Sequence, residues 1–199
     1  MATLRQPDPQ THRPEIWLVR HGQTEWSRDG KHTSGTDLPL TPEGERAARS
    51  LASRLDGGAF DLVLASPRQR AWRTAELAGF AGPEIDDDLR EWDYGEYEGV
   101  TTPQIRETDP DWSLWTDGAP GGERPADVEA RVDRLIARLR SVEGERVLVF
   151  AHGHVLRVVG ARWSGWPVGA GAHLRLDTAT VSVLGWERET PAIGRWNAP

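Results

Sequence analysis

Cysteine is absent from the 199-residue chain, lysine occurs once, at position 31, and no long apolar run is present. Without cysteine there can be no disulfide framework, no zinc–thiolate site and no thiol nucleophile. Nothing approaches the ~20 consecutive apolar residues of a membrane-spanning helix. The opening stretch, MATLRQPDPQTHRP, is polar and proline-rich, so a flexible tail over 1–14 is expected and a secretion signal is not. A formal net charge of −7 lacks the clustered basic excess that nucleic-acid or anionic-membrane surfaces demand. These exclusions point to a cytoplasmic protein with neither nucleic acid nor membrane as partner. The length suits a single domain over 15–199. Because nearly all positive charge is arginine, planar forks suited to phosphate or carboxylate are abundant, although genome composition alone would give the same bias.

Short β-rich apolar runs alternate with longer amphipathic segments, the pattern of an α/β fold: a three-layer α/β/α sandwich around a mostly parallel sheet. Strands are expected over 16–19, 62–65, near Ile85, 146–150 and 180–186, and helices over 42–55, 67–78, 124–139 and 154–163. Thr41 is placed to cap the first of these helices, with Pro42 in its first turn. Val128, Val132, Leu135, Ile136 and Leu139 recur at three- and four-residue spacing and form a stripe that should face the sheet. Residues 95–123, rich in Gly, Pro, Asp and Trp, break the alternation and read as a loop-rich excursion with one short helix.

Three charged clusters fall at the ends of expected strands. The run IWLV leads into Arg20-His21-Gly22, the strand at 62–65 leads into SPRQRAWR with Arg68, Arg70 and Arg73, and VLVFA leads into His152-Gly153-His154. Cationic side chains are costly to bury without a negative partner, and the first acid after Arg20-His21 is Glu25. Ligands of open α/β sheets bind beyond the carboxyl ends of the strands. Glycine after each histidine lets the backbone approach a ligand closely, and a following helix N-terminus favours an anion. Each cluster alone is weak; together they indicate an anion site. His152-x-His154 could also suggest a metal pair, but no further ligand cluster supports one, and no metal or cofactor is expected.

The blocks LVRHGQTEWS, TDLPLTPEGERAA, SPRQRAWRTAE, LREWDYGEYEG and FAHGHVLR, in that order, resemble the histidine phosphatase superfamily, in the branch similar to cofactor-dependent phosphoglycerate mutase. EWDYGEYEG with AHGHVLR looks more like the acid and sugar-phosphate phosphatases of that branch than like its mutases. The resemblance implies that His21 is the nucleophile that becomes phosphorylated. Arg20, Arg70 and His152 would line the phosphate pocket, and Glu91 would be the proton donor. Thr24 and Ser27 would contact substrate, with Gly22, Gln23 and Gly153 close to the phosphate. The implied activity is metal-independent phosphomonoesterase chemistry on small phosphorylated metabolites, with mutase chemistry as an alternative and a catalytically weak phosphate-binding interaction protein as a remoter one. His21 would attack as neutral imidazole. Glu91 would have to hold a proton for the leaving group and then activate water.

The neighbouring acids of DDDLREWDYGEYEG are expected to be solvated, Arg68 and Arg73 to be exposed or paired, and His12, His32 and His173 to be surface or structural. Trp112 and Trp115, with Trp92, Tyr94 and Tyr97, could wall the pocket or simply pack their own loop. Residues 99–123 carry Glu107, Asp109, Asp111, Asp117 and Glu123 against Arg106, an acidic cover that would repel a polyanion and favour hydrolysis over mutase chemistry. Gly35 stands where many relatives have arginine. A homodimer through an exposed edge strand is as open as a monomer.

Overall fold

The computed structural model describes residues 13–55 and 59–199. The strands and helices, in chain order, are β1 (Glu15–Arg20), α1 (Glu25–Asp29), α2 (Pro42–Leu55), β2 (Leu62–Ala65), α3 (Gln69–Leu77), β3 (Glu84–Ile85), α4 (Thr102–Arg106), α5 (Leu114–Asp117), α6 (Pro125–Arg140), β4 (Arg146–Ala151), α7 (Gly153–Trp163), β5 (Val181–Glu187) and β6 (Thr190–Ala198). They build one six-stranded sheet of order β3-β2-β4-β1-β5-β6. The first four of these neighbours run parallel, while β5 is antiparallel to β1 and β6 to β5.

Side chains of a strand alternate between faces, and this alternation makes the layers. Ile16, Leu18, Val147, Val149 and Ala151 join Val128, Val132, Leu135 and Leu139 of α6 and Val155, Leu156 and Val159 of α7 in one core. Val19, Ala65, Leu148 and Phe150 face the other way, onto Leu51 and Leu55 of α2 and Ala75 of α3. The apolar stripe on 124–139 therefore packs on the sheet as its spacing indicated. Among the described residues no helix is long and apolar enough to cross a membrane.

Several expectations need correction. Within the expected tail, 1–12 lie outside the described residues, His12 among them, whereas Pro14 accepts a hydrogen bond from Trp186 Nε1 (3.2 Å) and Arg13 lies 5.7 Å from the centre of that ring. Strand β6, which contains Pro191 and Gly194, was not among the expected strands. It forms as an edge strand, with register shifts against β5, where both residues are tolerated. Residues 95–123 hold two short helices, α4 and α5, rather than one. They are packed structure, with Ile105, Trp112 and Leu114 buried in the core shared with α6 and α7.

Candidate active site

The three clusters converge because β2, β4 and β1 are neighbouring parallel strands that end at the same side of the sheet. Arg20 pairs with Ala151, and Ala65 with Phe150, so His21, Ser66 and His152 follow the strand ends side by side. The His21 and His152 rings are 5.1 Å apart between centres. The Arg20-His21 turn is held from the far side by Ala179, whose N–H lies 3.0 Å from Arg20 O and 3.2 Å from His21 O while its φ is +54°. Gly22 is required by packing, because a Cβ there would fall 2.5 Å from Gly44 O.

His21 is 5 % exposed, and its Nδ1–H donates to Gly22 O at 2.7 Å, which leaves the Nε2 lone pair free. Burial, then Arg70 and Arg20, holds its pKa well below the usual imidazole range. Arg20 donates through Nη1 to Leu176 O (2.6 Å), but its Nε is buried without a partner. A Cβ on Gly153 would lie 3.3 Å from that Nε, so the glycine leaves the guanidinium uncovered. The Glu91 carboxyl sits at the start of α7. Its Oε1 accepts the N–H groups of Trp92 (3.0 Å) and Val155 (2.8 Å), and Oε2 accepts that of His154 (3.0 Å). These three backbone N–H groups fix the position of the carboxyl beside the cavity. Oε2 keeps a lone pair for a ligand.

A cavity of about 240 Å³ is lined by Arg20, His21, Thr24, Ser27, Glu91 and Gly153. Arg70 and His152 are fully buried and are not part of that wall, and the His152 ring lies 5.1 Å from that of His21. Arg70 Nε donates to His152 Nδ1 (3.2 Å) and His152 Nε2 to Ser66 Oγ (2.7 Å), while the rest of the guanidinium is bound by Thr33 O, Ser34 O and Thr36 O. Gln23 turns away to Thr41, with Oε1 accepting from its hydroxyl at 3.0 Å. Thr24 and Ser27 also close a capping box on α1.

The sequence reading missed Lys31, His32, Thr33, Thr102 and Arg157, which share the cavity wall. His32, expected to be surface or structural, is 8 % exposed and packs against Tyr94 at 4.6 Å. Tyr94 Oη and His154 Nδ1 are hydrogen-bonded at 2.6 Å, while His152 Nε2 is bonded to Ser66 Oγ. The only signal for Arg157 was its place one helical turn after Gly153-His154. The aromatic wall shrinks to Tyr94. Trp92 and Trp112 are buried packing residues whose indoles donate to Glu123 O and Gly118 O, Tyr97 packs edge-on against Trp112 (5.2 Å), and Trp115 stacks under Arg157. The acids of the excursion do not line this cavity; Glu123 lines the neighbouring one. Arg73 pairs with Glu76 (2.9 Å) and His173 is exposed, as expected. Arg68 is neither exposed nor paired: its Nε is buried without a partner.

This burial has a consequence for stability. His21, His152 and His154 are all held neutral, with desolvation as the first cause, far below the ~6.5 at which an unfolded imidazole titrates. As pH falls below that value the unfolded chain takes up protons that the folded chain refuses. Stability therefore drops by up to about 1.4 kcal/mol per pH unit for each histidine, and is flat in this respect above about pH 7. Thermal melts should lose roughly 10 °C between pH 6 and pH 5. A constant Tm across that interval would show that these rings protonate within the fold.

The sequence profile described as the histidine phosphatase superfamily (branch 1) matches residues 16–199. An acid phosphatase of Mycobacterium tuberculosis is 42 % identical over 190 residues, covering 92 % of this chain and 94 % of that one. A sedoheptulose 1,7-bisphosphatase of Saccharomyces cerevisiae is 38 % identical over 184 residues, covering 76 % and 68 %. A solved structure of an open-reading-frame product from Mycobacterium tuberculosis superposes with a TM-score of 0.89 at 40 % identity, covering 93 % of this chain and 97 % of that one.

Proposed function

The chain belongs to the histidine phosphatase superfamily, branch 1, and is a phosphoric monoester hydrolase; from this we propose that it hydrolyses small phosphorylated metabolites, sugar phosphates among them, through a phosphohistidine on His21. The observation that carries the reading is a buried, neutral imidazole whose Nδ1 is tied to a carbonyl, beside an arginine whose Nε has no protein partner. One is a nucleophile and the other an unfilled oxyanion donor.

Phosphoryl transfer asks a protein mainly to position groups and stabilise charge. His21 Nε2 attacks phosphorus as the P–O bond to the leaving group breaks. Arg20 takes the equatorial oxygens, and Arg70 with His152 supplies field and rigidity. Gly22 and Gly153 keep the floor open, while Thr24 and Ser27 face the leaving group. Glu91 gives its proton to the leaving alkoxide. Water then attacks the phosphohistidine, with Glu91 taking its proton, and phosphate leaves.

The neutral hydrogen-bonding groups of His32, Thr33, Thr102 and Tyr94, flanked by Lys31 and Arg157, suit a hydroxylated, charged leaving group. Hydrolysis is favoured over mutase chemistry because the excursion contributes only Thr102 to this wall and no basic group to hold a reoriented intermediate. Phosphate release from p-nitrophenyl phosphate and from sugar phosphates should proceed undiminished in excess EDTA. Activity that vanishes with chelator and returns with a divalent cation would overturn the reading.

A further inference from the structure

Of the buried side-chain nitrogens and oxygens among the described residues, two have no hydrogen-bond partner: Arg20 Nε and Arg68 Nε. Arg20 lines the cavity beside His21. Arg68 lines a separate cavity of about 170 Å³ with Gly35, Arg90, Asp93 and Glu123, and Glu91 is common to both walls. Arg90 is exposed, and neither it nor Arg68 has an ion-pair partner among the described residues.

None of the acids of this cavity forms an ion pair with Arg68 or Arg90. Glu123 is engaged by Arg131 through both oxygens (2.9 and 2.8 Å), Glu91 by its N–H donors, and Asp93 Oδ1 by the N–H of Gly95 at 3.0 Å. A side chain at Gly35 would enter open space, since nothing lies within 4 Å of a Cβ built there. Room, two guanidinium groups without ion-pair partners among the described residues and an unsatisfied buried donor thus coincide at a cavity that shares Glu91 with the first. We propose that Arg68 and Arg90 form a second oxyanion subsite, which takes a phosphate or carboxylate. Its natural source is the leaving group of a doubly anionic substrate; a free phosphate ion is the other source with the same chemistry. The inference rests on the phosphomonoesterase reading only in taking the ligand from phosphorylated metabolites.

Calorimetric titration of the His21→Ala protein separates the two sources without requiring turnover. With the substrate as source, 3-phosphoglycerate binds at least about tenfold more tightly than glycerol 3-phosphate, the value of one charged hydrogen-bond set. Arg68→Gln or Arg90→Gln then removes that advantage and leaves glycerol 3-phosphate unaffected, and Arg90→Lys restores part of it. With a separate ion as source, the two esters bind alike, but inorganic phosphate occupies two sites, of which the Arg90→Gln variant keeps one. Either result supports the subsite. Equal affinity of the esters with a single phosphate site, or equal weakening of every ligand by the substitutions, overturns it. Arg90 is on the surface, so its variants carry the test if the Arg68 variant does not fold, as a melting curve will show. A failure of the phosphohistidine mechanism would appear in the turnover of His21→Ala and leaves this titration untouched.

Discussion

His21→Ala is expected to lower kcat by roughly 10⁴–10⁶-fold toward any phosphomonoester, because it removes the atom that accepts the phosphoryl group. The effect should not spread to the fold. His21 makes one side-chain hydrogen bond, to its neighbour Gly22 O, and its removal spares the protein a buried imidazole that acid would otherwise charge. The variant should therefore lose less of its Tm between pH 7 and pH 5 than the parent, while still binding phosphate through Arg20. Steady-state rates with p-nitrophenyl phosphate, taken with melts at pH 7 and pH 5, separate the two effects. Retention of activity within tenfold would remove His21 as nucleophile.

The second large effect is expected from Glu91→Gln, and it should depend on the leaving group. An alkoxide needs a proton to depart and a p-nitrophenolate does not. The first half-reaction should slow by about 10²–10⁴-fold with a sugar phosphate and change little with the aryl ester. Hydrolysis of the phosphoenzyme needs the same carboxylate as a base, so steady-state turnover should fall with both substrates. With the aryl ester a burst of one p-nitrophenolate per active site should precede the slow phase. Glutamine also cannot accept all the N–H groups of Trp92, His154 and Val155 that the carboxylate does. One buried donor loses its partner, at a cost of about 1–3 kcal/mol read as a lower Tm. Rapid-mix kinetics with the two esters decides the matter: equal slowing of the first step in both would assign Glu91 a structural role instead.

What could be read from the sequence followed from local periodicity and strand-end chemistry. The helix over Pro42–Leu55 and the strand over Leu62–Ala65 coincide with the expected bounds because cap, proline and apolar spacing agree there. The clusters at His21, Ser66 and His152 announced an anion site before the sheet order was known, since a parallel sheet gathers strand ends of one polarity. Strand β6 was hidden because pairing with β5, not its own pattern, makes it a strand. Depth was hidden as well: nothing in the sequence indicates that Arg70 and His152 are fully buried, with Arg70 held by the carbonyls of Thr33 and Thr36 and by His152. Arg68 looked like any surface arginine in a polar run. Only the packed structure leaves its Nε without a partner.

The central claim is that a phosphoryl group resides on His21 Nε2 between the two half-reactions. Rapid acid- and heat-free quenching of the Glu91→Gln protein during turnover of a ³²P-labelled aryl ester, followed by peptide mapping, tests it most directly. The account predicts near-stoichiometric label on the peptide containing His21, stable in alkali, lost in acid, and absent from His21→Ala. Turnover with no labelled protein at any time, or label on a different residue, would contradict it.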